Sequence, residues 1–395
     1  MDNITHSLFG ATVSETLWVA LPESTKRTLA PQTRRALFLA SVFGNNLPDF
    51  DFLYAPLMHA NPQLGNLLHH RGHTHTVPIA LLQGLLMLGI CAFFQHVLKR
   101  FHFTKEWKWI SWMAFLAPLT HITLDFLNNY GVHPFWPIDN TWKYGDWVFV
   151  LEPWAWATLT PFLFLLAPTK KGKTLYATLA VLGLTLSWGL GVVPSLMCGV
   201  LTAWTLFILV TLFLLKDHGR VILTWSALAT LLLFFELGNR VTLKMVQAES
   251  SQDPQYKLID PILSPLPVNP LCWVVVSVEQ SETHLRLKRR LVAPFPSIIN
   301  HTACSDLRFF GGQEPTELLI SITEVKTLRD QFCDVRDFLQ FSRAPYFWKD
   351  ETGLYFSDLR FERVNRKGFA RIKVGSRTPP CASSKAPWTV GTLPF

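Results

Sequence analysis

The sequence predicts an all-α polytopic membrane domain of about eight helices, followed by a smaller C-terminal extramembrane domain that is β-rich or α+β. Three observations carry this. Hydrophobic residues make up 49% of the 395-residue chain and charged residues only 16%, with 15 Trp and 30 Phe, too apolar for an ordinary soluble protein. Long uncharged apolar runs recur up to about Gly238. Beyond that point the chain is charged, rich in Pro and marked by short alternating runs.

The strongest membrane segment is Val77 to Val97, which has no formal charge and exceeds the roughly 20 residues needed to cross about 30 Å of hydrocarbon. Similar runs follow at Trp109 to Leu127, Pro153 to Pro168, Thr174 to Ser195, Leu196 to Leu215 and Val221 to Gly238. Two weaker segments precede them, Ile4 to Leu21, which contains Glu15, and the short Ala36 to Pro48. The N-terminus lacks a basic n-region and a small-residue cleavage site, so the first helix is expected to stay in the protein. Residues 1–240 are assigned to the membrane domain, 241–378 to the extramembrane domain and 379–395, with Pro379, Pro380, Ser383, Ser384 and Pro387, to a flexible tail. Strand-like runs in the second domain include CWVVVSV (272–278), ELLISI (317–322), LYFSDLRF (354–361) and FARIKV (369–374).

Basic residues orient the chain, because short cytoplasmic loops accumulate Lys and Arg. The loops with Lys26, Arg27, Arg34 and Arg35, with Lys99, Arg100, Lys105 and Lys108, with Lys170, Lys171 and Lys173, and with Lys216 and Arg220 alternate with poorly basic ones. With eight crossings all four fall on one side, so both termini lie outside. In a Gram-negative cell the C-terminal domain is then periplasmic and the body sits in the inner membrane. Four of six cysteines (Cys272, Cys304, Cys333, Cys381) lie in that domain, which suits an oxidising compartment, with the pairing open. The net charge of +8 follows from this topology and gives no reason to expect a nucleic-acid partner.

Polar residues converge on the outer face. HHRGHTHT (69–76) puts His69, His70, His73 and His75 at the outer end of the Val77 segment. Asp2 and His6 begin the first segment, and Asp49 and Asp51 in NNLPDFD end the second. His121 and Asp125 occupy the outer half of the Trp109 helix, while His133, Asp139, Asp146 and Glu152 fall in the loop after it. Asp2/His6 and His121/Asp125 are each four apart, a spacing that places both side chains on one helical face. Mixed imidazole and carboxylate donors suit zinc or another first-row divalent ion. The plain alternatives are a hydrated loop for the histidines, a buried polar pair for His121/Asp125, and helix ends for Asp2 and the two aspartates. His59, His96, His102, His218, His284 and His301 lack such company.

The order MDNITH, NNLPDFD, HHRGHTHT and HITLD, with DLRF at 358–361, resembles the YdjM-type bacterial inner-membrane metal-dependent hydrolases over most of the chain. That family is in turn similar, in ligand order, to zinc-dependent phospholipase C and secreted single-strand nucleases. The resemblance implies that His6, Asp49, one of His69 or His70, His121 and Asp125 are metal ligands, with His133 as a sixth; His73 is a further candidate from the histidine cluster itself. Two departures stand out. The secreted enzymes use a processed N-terminal amino group, for which Asp2 is the substitute here, and their second H-x-x-x-E/D pair is missing. One or two ions, most simply zinc, are therefore expected.

The function expected from these residues is hydrolysis of a phosphodiester or similar ester at the outer interface. Asp49 or Asp51 would orient or deprotonate the attacking water, and Arg71 would clamp the phosphate. Membrane lipids surround the site, so a lipid or lipid-linked phosphate is the simplest substrate. The rivals are a metal or proton transporter, and a regulatory or scaffolding protein with a structural metal. Few ionisable residues occupy the helices after Leu151, Glu236 being the main exception, which counts against a pathway through the bilayer.

Overall fold

The computed structural model describes residues 1–97, 103–189, 193–299, 304, 316–361, 368–375, 377–381 and 386–395. Lys99, Arg100, His102, His301, Ser383 and Ser384 lie outside the described residues.

The N-terminal part is helical: α1 (Asn3–Ala20), the short α2 (Glu23–Lys26), α3 (Thr33–Gly44), the short α4 (Pro62–His69), α5 (Val77–His96) and α6 (Trp107–Phe126) come first. Then follow α7 (Pro153–Leu166), α8 (Lys170–Gly189), α9 (Ser195–Leu214) and α10 (Asp217–Ser250). Among the described residues three helices, α5, α9 and α10, are long and apolar enough to cross a membrane. Their outward surfaces fit that solvent: Leu81, Leu82, Leu85 and Leu86 on α5 and Phe207, Val210 and Phe213 on α9 are all exposed, as they are where hydrocarbon takes the place of water. α10 runs on past Gly238 to Ser250, and the first strand begins at Lys257.

The helices share one ordered end. α1 starts where α6 finishes, because the Met1 amino group donates to Asp125. α3 finishes there too, since Asn45 accepts from Thr120 and His121 of α6, and α5 starts there, Val77 N–H donating to the Pro134 carbonyl. At Gly10 a Cβ would come within 2.8 Å of the Ser41 carbonyl, so glycine permits the close approach of α1 and α3. The basic residues Lys26, Arg27, Arg34, Lys105, Lys170 and Lys216 sit at the opposite helix ends.

Among the described residues the C-terminal part contains two antiparallel sheets. β1 (Lys257–Leu266), β2 (Asn269–Gln280), β3 (His284–Val292) and β4 (Thr316–Ser321) pair in that order. β5 (Pro345–Asp350), β6 (Gly353–Asp358) and β7 (Ile372–Lys373) form the second sheet, with α11 (Ile322–Gln331) and α12 (Cys333–Phe338) between them. β2 takes in the CWVVVSV run and is buried on both faces, which is why it reads as continuous apolar sequence. The cysteines pair as Cys272–Cys304 and Cys333–Cys381. Cys91 and Cys198 stay free.

Two hydrophobic clusters join the parts. Met1, Trp154 and Met197 from the N-terminal part pack with Trp273 and Val275 of β2. Leu64, Leu67 and Tyr130 pack with Phe338, Phe356 and Trp388. The segment expected as a flexible tail therefore includes a fully buried tryptophan: Trp388 donates through Nε1 to the Leu68 carbonyl at 2.6 Å, and Thr389 forms a parallel bridge with Thr141. Burial of so large an apolar group outweighs the turn-rich composition around it.

Candidate metal centre

Four side chains from three segments meet where α1, α3 and α6 share their end. Asp49 comes from a 3₁₀ turn over Pro48–Leu53, His75 from another over His73–His75, and His121 and Asp125 from the last turns of α6. One ligand atom from each lies within 4.8 Å of all the others, and all four residues are buried. His75 Nε2 and His121 Nε2 stand 3.0 Å apart. Asp125 Oδ2 is 3.2 Å from the first and 3.3 Å from the second, and Asp49 Oδ1 is 3.4 Å and 3.5 Å away from them.

Hydrogen bonds on the far sides of the rings fix what these nitrogens present. His121 Nδ1 lies 2.5 Å from the Asn45 carbonyl, which can only accept, so Nδ1 has the proton. His75 Nδ1 faces Asp51 Oδ2 at 3.3 Å and the Thr74 hydroxyl at 3.0 Å, and that hydroxyl already donates to Asp51. In the neutral rings both Nε2 atoms are therefore lone pairs turned toward each other and toward two carboxylate oxygens. Asp125 Oδ2 has no hydrogen-bond donor among the described residues. Four buried acceptors repel one another unless a cation lies among them, and two imidazoles with two carboxylates are a donor set for a first-row divalent ion. The residues fit a metal.

A second set, Asp49, Asp51 and His70, adjoins the first through Asp49. Asp51 is an orienting hub: it accepts from His70 Nδ1 (2.9 Å), Arg71 N–H (2.8 Å) and Thr74 Oγ1 (2.8 Å). Burial alone would raise the Asp51 carboxyl pKa. Hydrogen bonds from His70 and His75, both through Nδ1, hold it well below the usual carboxylate range instead. His70 is the more open member, its side chain 26% exposed.

The turn that feeds this centre is strained. Arg71 has φ 60°, unusual for a residue with a side chain, and the Arg71 N–H bond to Asp51 helps hold it there. A Cβ on Gly72 would lie 2.6 Å from the His69 carbonyl, so the chain can double back only at glycine. The turn separates the four histidines of HHRGHTHT. His75 points into the centre and His70 to its edge.

The structure does not bring His69, His73 or His133 into either set. Their rings surround Trp388, at centroid distances of 6.0, 4.7 and 3.9 Å, and burial pushes His133 down to about 3, a neutral ring. Asp2 caps α1, accepting from Ile4 and Thr5 N–H at 3.0 Å. His6 lies one layer out, stacked on His121 at 3.7 Å with Nε2 3.3 Å from Asp125 Oδ1. Arg71 is buried against Asp125, with Nη2 2.9 Å from Oδ1 and Nη1 3.0 Å from Asn128 Oδ1; its partner here is a carboxylate of the centre. Sequence reading did not single out His75. The one usable signal was that Thr74 and Thr76 flank it, Thr76 being the N-cap of α5, which fixes this residue at a helix entrance.

Asp139 pairs with Lys143 in the loop after α6. Asp146 joins Asp260 on the two sides of the buried Arg343, tying that loop to β1. Burial raises Glu152, the N-cap of α7, to about 8.

No solved structure matches the chain. An uncharacterised protein, YfhP of Bacillus subtilis (strain 168), is 25% identical over 112 residues, 28% of this chain and 31% of that protein. The chain thus aligns with less than a third of that relative's length. Residues 1–196, which span both ligand sets but not the DLRF run, match the YdjM inner membrane protein family.

Proposed function

We propose that this chain is a membrane-bound metal-dependent hydrolase that cleaves phosphodiester or other phosphate ester bonds at the outer membrane–water interface. The observation that carries the reading is the meeting of two imidazole lone pairs and two carboxylate oxygens, all four residues buried, beside the partly exposed His70. A divalent ion, most simply zinc, supplies there a water acidified toward neutrality and a positive charge for the phosphate. His75, His121, Asp49 and Asp125 hold it, and the Asp49, Asp51 and His70 set offers room for a second. Asp51 and the Asn45 carbonyl fix the two ring orientations from behind. Asp49, shared by both sets, is the carboxylate best placed to take a proton from water. Arg71 steadies Asp125.

A lipid or lipid-linked phosphate is the substrate class these surroundings favour. The centre sits at the helix ends, where headgroups would lie, and an apolar cavity of about 430 Å³ between α3 and α5, lined by Leu39, Phe43, Ile90 and Phe94, offers space for an acyl chain. Among the described residues the candidate ligand sets lie at this end alone, which disfavours a transport pathway.

The test is hydrolysis of a chromogenic phosphodiester and of phospholipid vesicles by the purified full chain. Activity should vanish on chelation, return with zinc or another first-row ion, and be lost in Asp49→Asn. Chelator-insensitive cleavage, or none with any metal on either substrate, would exclude this function.

A further inference from the structure

At the end of the helical bundle opposite the metal centre a cavity of about 930 Å³ opens between the last turn of α1, α2, the start of α3, the end of α7 and the α9–α10 junction. Five Lys and Arg side chains line it, from segments almost 200 residues apart, against the two carboxylates Glu23 and Asp217.

Their engagements differ. Arg34 is committed, its Nη2 2.6 Å from both Glu15 Oε2 and the Leu166 carbonyl. Lys26 and Arg220 hold Glu23 and Asp217 at 2.8 and 2.9 Å, but those carboxylates are 76% and 56% exposed, and such pairs are weak. The side chains of Arg27 and Lys216, both exposed, have no hydrogen bond or ion pair among the described residues. Apolar groups complete the lining, with Trp18, Leu165, Leu166 and Leu215 beside the cations. Loop cations solvated for topology alone have no need to converge on one cavity, or to share it with tryptophan and leucine.

We propose that this cavity binds a phosphate-bearing anion, and that with the helices spanning the bilayer its source is the headgroup of an anionic phospholipid. Arg27 and Lys216 meet the phosphate, Lys26 and Arg220 flank it, and the leucines and Trp18 lie along the first acyl carbons. The site faces the more basic side of the membrane, where juxtamembrane cations attract acidic lipid. It is independent of the metal centre and of any hydrolytic activity.

The test is native mass spectrometry of the delipidated full chain titrated with phosphatidylglycerol or phosphatidylcholine, alongside calorimetric titration with inorganic phosphate. The wild type should bind phosphatidylglycerol about 10-fold more tightly. Arg27→Gln with Lys216→Gln should abolish the preference at unchanged metal content, and Arg27→Lys with Lys216→Arg should keep it. Saturable inorganic phosphate binding without lipid preference, lost in the Gln pair, would retain the phosphate site and make its source soluble. Equal binding of both lipids with no phosphate binding, or a preference that survives in the Gln pair, would overturn the proposal.

Discussion

At the residue scale the centre is defined by which atom of each ring faces inward. His75 and His121 turn Nε2 toward the carboxylates because Asp51 and the Asn45 carbonyl occupy their Nδ1 atoms, whereas His69 and His73 turn to Trp388. His69→Ala and His73→Ala should therefore leave bound metal within about 2-fold of wild type in elemental analysis, while removing a ligand such as His75 costs about 10-fold or more; the reverse ranking would reassign the ligands. Arg71 separates two roles. Holding Asp125 at 2.9 Å, it should lower metal retention when replaced by Lys, which cannot keep both this contact and the one to Asn128. A phosphate clamp would instead keep the metal and raise KM alone. Glu152 gives a pH signature of its own. Burial raises its carboxyl from 4.5 to about 8, and Oε2 has no donor among the described residues. The folded protein then holds this proton more tightly than the unfolded chain does. The resulting stability is full below about 4.5 and falls as pH rises toward 8, by roughly 1.4 kcal/mol per unit. The thermal midpoint of Glu152→Gln in detergent should drop less between pH 6 and 8 than that of the wild type; parallel slopes would show that Glu152 does not titrate there.

At the element scale, legibility followed periodicity and spacing. The apolar runs became helices, and the four-residue spacing of His121 and Asp125 placed both on one face of α6. CWVVVSV became the doubly buried β2. β1 escaped notice because Pro261 and Pro265 argue against a strand; it holds them as the edge of its sheet, where a missing N–H costs least. The choice among His69, His70, His73 and His75 was not legible, since it depends on a turn through Arg71 at positive φ that no local pattern announces. Nor was the burial of Trp388, whose Pro- and Ser-rich neighbourhood reads as loose chain. Its ring stacks on His133 at 3.9 Å and its Nε1 reaches Leu68, so the chain's end is a structural plug beside the centre. Trp388→Ala should cost about 3–5 kcal/mol, visible as a lowered thermal midpoint, with the metal still bound at its ligands. A midpoint unchanged from wild type would mean that the plug contributes nothing to the fold.

At the scale of the whole molecule, the ligand sets and both disulfides lie toward one end of the bundle and the described basic loops toward the other. The arrangement is what positive-inside topology and an oxidising outer compartment ask for together. Single cysteines at the exposed positions Gln63, Lys171 and Glu282, in a chain with Cys91 and Cys198 changed to Ser, should report it in intact cells. An impermeant maleimide is expected to label the first and third but not the second, and labelling of Lys171→Cys alone would invert the topology. The two ends also explain how one chain can hold a metal centre on one face and a basic cavity on the other without either depending on the other. Everything proposed for the outer face rests on a cation among His75, His121, Asp49 and Asp125. Its most direct test is X-ray absorption at the metal edge of the full chain, purified without chelators and supplied with zinc, beside His75→Ala with His121→Ala. A first shell of two imidazole nitrogens plus oxygens, absent from the folded double variant, is the expected result; a wild type that binds no ion, or a double variant with the same spectrum, would contradict it.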